Sequence, residues 1–336
     1  MKKMIAILMT LALIALCVPA MAEAPELTLI IASNATDPTN PYSYGLDKFK
    51  EVAEEISGGK IEVIVHKGTL GQDETELVQK LAMEAVDIVV SSPGFMTGVG
   101  VPEVDFLSLE YLFDSFDHWE ACMDGEFGDS MREIIKQKTG NMYRILGYWS
   151  SGVRDVYAKK AITSPDDMKG LKIRTQNSKV QQDFFIACGA VPTSVAWGEL
   201  YQALQQGVAD GAENDYTNLT LKEHHKTPNG CFINETHHDY TTRLFMMSGN
   251  KYDRLTDEQK AWIDEAAAAC TAEERQITYN MLAESKQKAI DDGATITEHD
   301  DIDIAAFKAI AAPIQDEFAA KIGMTEQLEM IRAAAK

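Results

Sequence analysis

Apolar positions along the first third of the chain recur in two periods. Leu27 to Ala32, Ile61 to Val65 and Asp87 to Val90 are short apolar runs, and each reads as a strand. Between them, Phe49, Val52, Ala53 and Ile56 fall on one helical face, which predicts a helix from about Tyr44 to Ile56. Gly58-Gly59 ends it. Leu77, Val78 and Leu81 predict a second helix from about Gln72 to Met83. Strand–helix–strand–helix order implies a parallel sheet with right-handed crossovers. Pro93 to Pro102 reads as a long Gly-rich loop, followed by helices at about 117–123 and 127–138. Tyr143 to Trp149 reads as a strand, with Gly152-Val153-Arg154 directly after it.

A second α/β unit follows. Ser164-Pro165-Asp166-Asp167 is a helix start, with proline at the first position and acids in the first turn. Gly170 to Gln176 alternates, so Leu171 and Ile173 face a core while Lys172 and Arg174 face the other way. Helices are predicted at about 179–188 and 197–206, with strands at Val191 to Val195 and Val208 to Ala212. The last of these delivers Glu213-Asn214-Asp215. Residues 216–240 are polar and read as irregular, and Phe245 to Ser248 as a short strand. From about Thr256 to Asp292 the helical pattern scarcely pauses, so this is one long helix crossing two domains or two helices. Ala294 to Ile296 and Phe307 to Ile322 supply a last strand and helix.

Composition changes this picture at the N-terminus. Lys2 and Lys3, the apolar run Met4 to Val18 and the small residues around Ala20-Met21-Ala22 make residues 1–22 a cleaved secretory signal. The mature chain then has about 314 residues, enough for one large or two medium domains. Its formal charge moves from −21 to −23 once Lys2 and Lys3 are gone. Such a chain repels phosphate backbones, and nucleic acid is not expected as a partner. An anionic ligand would need local positive groups. Cys122, Cys188, Cys231 and Cys270 remain, with no CxxC, and export leaves both a disulfide and buried thiols open.

Arg154 and Arg174 stand at predicted strand ends, and Asn214 at a third. Open α/β sheets bind ligands at the carboxyl ends of their strands. Arginine suits a carboxylate through two parallel hydrogen bonds. Asparagine offers a donor and an acceptor to a hydroxyl or carbonyl. Interdomain salt bridges are the alternative for both arginines. His224, His225, His237 and His238 surround Cys231, but without finger or zincin spacing, so no metal or other cofactor is expected. No nucleophile elbow, HExxH, P-loop or dinucleotide fingerprint occurs, and no enzymatic activity is expected.

Several segments, in order, resemble the periplasmic solute-binding component of TRAP transporters. They are Leu70 to Glu74, Gly152-Val153-Arg154, Asp167 to Arg174 and, most specifically, Gly198 to Asn214. The resemblance implies an α/β, two-lobed periplasmic-binding-protein fold with a ligand cleft between lobes and a long helix spanning both. It groups 23–150 and about 239–279 as the first lobe, and 151–238 and about 280–336 as the second. It implies a small organic acid as ligand and TRAP membrane permease subunits as partners; a monomer is expected, and the cleaved signal points to a periplasmic location. Arg174 matches the carboxylate clamp, Arg154 an assisting arginine and Asn214 a further ligand contact. Glu74, Trp197 and Asp239 complete the expected binding set. The chain departs from the family at Asn40-Pro41, Leu109-Glu110-Tyr111 and Asp215. Trp197-Gly198-Glu199 and Asp215 resemble members that take sugar acids such as hexuronates, with dicarboxylates, aromatic acids and other hydroxy acids as alternatives. An exported sensor of the same fold, and a metal-dependent exported enzyme using the histidine segment, are the competing readings.

Overall fold

The computed structural model describes residues 24–71, 74–176 and 178–335. The predicted signal segment lies outside them. Among the described residues, nine strands form a single sheet in the order β2 (Ile61–Lys67), β1 (Leu27–Ser33), β3 (Ile88–Ser91), β8 (Phe232–Ser248), β4 (Tyr143–Ala158), β7 (Gly211–Asn214), β5 (Lys172–Thr175) and β6 (Val191–Ser194), with β9 (Thr295–Thr297) on β8.

The first wing is built as the periodicity predicts. Strand β1 (Leu27–Ser33) leads into helix α1 (Pro41–Ile56), whose N-cap Asn40 accepts from the Tyr42 amide. Strand β2 (Ile61–Lys67), helix α2 (Glu74–Ala82) and strand β3 (Ile88–Ser91) follow, and β1 pairs in parallel with both other strands. Pro93 to Ser108, expected partly as open loop, instead forms two short 3₁₀ helices. Helices α3 (Phe116–Met123) and α4 (Glu126–Lys138) then pack on the same wing.

The middle of the sheet differs from expectation. Strand β4 does not end at Trp149 but runs over Tyr143–Ala158, through Arg154. The polar segment after residue 230 is not irregular: strand β8 spans Phe232–Ser248 and pairs antiparallel with β4 along most of its length. These two strands join the wings. Gly152, at φ +85°, sits at one of the register shifts between them, where a Cβ would lie 2.9 Å from Leu282 Cδ2.

In the second wing, β5 (Lys172–Thr175), helix α5 (Lys179–Ala187), β6 (Val191–Ser194), α6 (Leu200–Gln206) and β7 (Gly211–Asn214) give a parallel trio, β6-β5-β7. Helix α7 (Tyr216–Leu221) occupies part of the stretch expected to be irregular. After α8 (Gly249–Asp253), the long helical pattern proves to be one helix, α9 (Asp257–Asp291). A Thr256/Gln259 capping box starts it. At 1.5 Å per residue it is about 52 Å long. Its first half buries Ile263, Ala266 and Cys270 against the first wing, and Ala289 packs in the second.

Alternation along β8 divides the first wing's core: Leu244 and Met246 face one side, Phe245 and Met247 the other. Ile173 and Phe185 centre one core of the second wing, Leu200 and Ala212 the other. After strand β9 (Thr295–Thr297), helix α10 (Ile304–Ile322) buries Phe307 beside Phe184. Helix α11 (Thr325–Ala334) then returns to pack Leu328 and Ile331 into the first wing, against α3 and α4. The expected grouping of about 280–336 places that last helix in the second lobe, whereas its apolar face packs on the first wing. Cys122, Cys188, Cys231 and Cys270 are all free thiols.

Candidate binding site

A cleft of about 880 Å³ opens between the two wings. Its first wall comes from the β1–α1 loop, the start of α2, the end of β3 and Arg243 of β8. Its second wall is formed by the ends of β5 and β6, the Trp197 turn, Asn214 and α7. It therefore lies at the carboxyl ends of parallel strands from both wings, where such sheets bind ligands.

Arg174 reaches this cleft as its alternation predicted. Its Nε donates to the Val195 carbonyl at 3.1 Å, which fixes the guanidinium plane. Among the described residues both terminal nitrogens lack a protein partner, and no carboxylate pairs with the group. Burial holds its pKa below the usual arginine value. The Trp197 ring lies 5.9 Å from its Cζ and lines the cleft, held edge-on by the His224 ring 5.0 Å away. His224 in turn shares a 2.9 Å hydrogen bond with the Tyr157 hydroxyl, and burial together with the Arg174 charge pushes it down to about 3.

Asn214 also lines the cleft, but its Oδ1 is occupied. It accepts from Arg154 Nη1 at 2.8 Å and from the Asp215 amide at 3.0 Å, leaving Nδ2 as the donor for a ligand. Arg154 itself does not line the cleft. It is completely buried, because β4 continues through it and is flanked by β7 and β8. Its Nε donates to Glu213 Oε2 and its Nη2 to the Glu213 carbonyl. Burial pushes the Glu213 carboxyl up, but Arg154 and His238 outweigh it and hold it at about 2. In this structure Arg154 orients Asn214 rather than facing the ligand space.

Asp239 is likewise away from the cleft wall. It lies opposite Arg154 in the β4–β8 register, accepts from the Thr241 hydroxyl at 3.1 Å, and is pushed up by burial to about 7. The remaining expected residue, Glu74, does line the cleft, with Oε2 accepting from the Ser92 amide at 2.6 Å.

Sequence reasoning missed the partner of Glu74. Arg243 Nη1 donates to Glu74 Oε1 at 2.9 Å and to Ser92 Oγ, and its Cζ lies 5.1 Å from the Tyr42 ring. The signal was an arginine beside the apolar run Leu244 to Met247. Tyr42 and Asn218 were also missed. Tyr42 donates to Ser151 Oγ at 2.5 Å, and Asn40 reaches across the cleft to Asn218 at 3.3 Å. Asn218 is held by Asp215 at 2.7 Å.

The four clustered histidines are separated by the fold. His225 pairs with Asp292 at 2.9 Å, His237 stacks on His299, and His238 bonds Thr236 at 2.7 Å. Among the described residues no group of three or more His, Cys, Asp or Glu side chains could hold a metal ion. A second groove, of about 540 Å³, lies between α4 and α9; two of its arginines are paired internally, Arg275 with Asp124 and Arg132 with Asp129, and the third, Arg144, lies with its Cζ 3.9 Å from the Tyr252 ring.

The model of the bacterial extracellular solute-binding protein family 7, DctP, matches residues 32–322. The chain belongs to this family, the periplasmic binding proteins of TRAP transporters. A solute-binding protein of Chromohalobacter salexigens is 32% identical over 85% of this chain and 83% of its own length. The C4-dicarboxylate-binding periplasmic protein DctP of Rhodobacter capsulatus is 29% identical over 96% of this chain and 94% of its own. Two solved structures of TRAP periplasmic solute-binding proteins superpose closely. One, from Chromohalobacter salexigens with bound D-glucuronate, has a TM-score of 0.84 at 28% identity, covering 91% of this chain and 99% of that one. The other, from Sulfitobacter sp. with bound β-D-galacturonate, has a TM-score of 0.83 at 27% identity and the same two coverages. The family is one of binding proteins that work with membrane permease subunits outside the cytoplasm. Among the described residues no helix is long and apolar enough to cross a membrane.

Proposed function

We propose that the cleft captures a hexuronate or closely related sugar acid and delivers it to a TRAP permease. Arg174 clamps the carboxylate through its two terminal nitrogens. Asn214 Nδ2, held by Arg154, and the polar groups of the first wall take the ring hydroxyls, with Trp197 against an apolar face of the sugar. One observation carries this reading. Of the buried arginines, Arg154, Arg243 and Arg275 each have a carboxylate partner, whereas Arg174 has none among the described residues and faces the cleft. Uronates bound to similar proteins support the choice of acid. The lobes close on the ligand as a shifted two-state equilibrium, with the hinge where β4 and β8 pass between them. Residues 1–22 are the cleaved export signal, and the mature protein acts as a monomer.

A thermal-shift panel on the mature protein tests this. Glucuronate and galacturonate should raise Tm by mass action, ahead of C4 dicarboxylates, aromatic acids and neutral sugars. Shifts with neutral sugars alone, or with zinc alone, would overturn the clamp.

A further inference from the structure

The cleft holds three buried charges, and they do not cancel. Arg174 stands alone on the second wall, while Arg243 and Glu74 form a pair on the first. Asp37, Glu199 and Lys222 lie at the rim, half-buried or exposed, where water and salt screen them. The buried side chains that line the cleft therefore sum to one positive charge, at the Arg174 end, with Asp215 behind Asn218 outside this lining and its carboxyl pushed up by burial. The far end is polar but neutral. There the Arg243 guanidinium lies beside the Glu74 carboxylate and the Ser92 hydroxyl, with its Nε buried and without a hydrogen-bond partner. A sugar hydroxyl, which both donates and accepts, suits such a set. A second carboxylate does not, because it would meet Glu74 on desolvation.

We propose that Glu74 is a specificity-determining residue: by neutralising Arg243 it makes the cleft select a polyhydroxy acid with one carboxylate over the matching diacid. This rests on the reading of Arg174 as the carboxylate clamp. The logic is subtractive. Arg243 would offer a second guanidinium fork to a diacid. Glu74 takes the Nη1 of that fork and sets a negative charge beside it, which a second carboxylate approaching Arg243 would meet. Removing Glu74's charge raises the deep charge of the cleft from one to two; removing Arg243's lowers it to zero.

The test is calorimetric, with a hexuronate and the six-carbon aldaric acid formed by oxidising its C1 to a second carboxylate; the aldaric acid is open-chain, a difference common to every variant that cancels when their ratios are compared. Wild type should prefer the monoacid by about tenfold or more. Glu74→Gln should move the monoacid-to-diacid ratio toward the diacid by about tenfold or more, and Arg243→Gln should move it the other way. The double variant Glu74→Gln/Arg243→Gln keeps the deep charge at one and should return the ratio to within about threefold of wild type. If one single variant, left with an unpaired buried charge, fails to fold, the other single variant carries the test. A wild type that prefers the diacid, single variants that leave the ratio unmoved, or a double variant with an altered ratio would each overturn the role of Glu74. A wild type that binds neither acid but responds to another carboxylate would instead refute the hexuronate reading. The ratio is then measured on that acid and its own diacid.

Discussion

Arg154 and Arg174 lie on β4 and β5 with only β7 between them, yet they end in opposite situations. Arg154 is mid-strand, with hydrogen-bonded neighbours on both sides, and its guanidinium is engaged by Glu213 and Asn214. Arg174 is near the end of a four-residue strand, where the sheet opens, and only its Nε is bonded within the described structure. The same side chain is structural in one place and available in the other. Strand length, not residue type, decides which.

That contrast makes stability and binding separable. Arg154→Met leaves Glu213 buried without its counter-charge, and breaking a buried pair in this way costs about 3–5 kcal/mol. Urea unfolding of the ligand-free protein should show that loss, while Arg174→Met should stay within about 1 kcal/mol of wild type. Equal losses would erase the distinction. Arg174→Lys keeps the charge but removes the planar fork, and should weaken binding of the acid about tenfold or more by calorimetry. Unchanged affinity would remove Arg174 as the clamp.

The third effect is spread over several pH units and concerns acids near Arg154. Asp239 is pushed up to about 7 in the folded protein from an ordinary 3.8. Between those values the folded state keeps a proton that the unfolded state has lost, so Asp239 lowers stability as pH rises through this window and levels off above it. Glu213, held at about 2 against an ordinary 4.5, works oppositely. Its stabilisation is complete above 4.5 and is lost as pH falls toward 2. Asp239→Asn should therefore flatten the fall in stability between about pH 4 and 7, by at most about 1.4 kcal/mol per pH unit for one proton. An unchanged slope in urea titrations would mean that Asp239 ionises freely.

The sequence made the outer elements legible because their signals are local. Phe49, Ala53, Leu77 and Leu81 mark helix faces, and Leu171 and Ile173 mark the strand that presents Arg174. The crossing strands were opaque for a physical reason. Both faces of β4 and β8 are covered near their middle, so the two-residue alternation disappears. Their centres are also polar: Ser150, Ser151, Arg154, Asn234, Asp239 and Thr242 are all buried there and hydrogen-bonded mostly to groups on other elements, among them Glu274, Asp215, Asn214 and Trp119. Polar runs resemble loops until the partners are known. Ending β4 at Trp149 put Arg154 at a strand terminus and made it look like a ligand arm. Starting the final strand at Phe245 hid Arg243 just outside it.

The wings share a sheet rather than a linker. The β4–β8 ladder shifts register three times between Ile145 and Val156, and each shift interrupts regular pairing while the strands run on. Mechanically this is a leaf spring with a softened waist. Any rotation of one wing against the other loads the same continuous backbone that must later unload. In the closure proposed above, release of the ligand would flex these two strands together with the loss of contacts in the cleft.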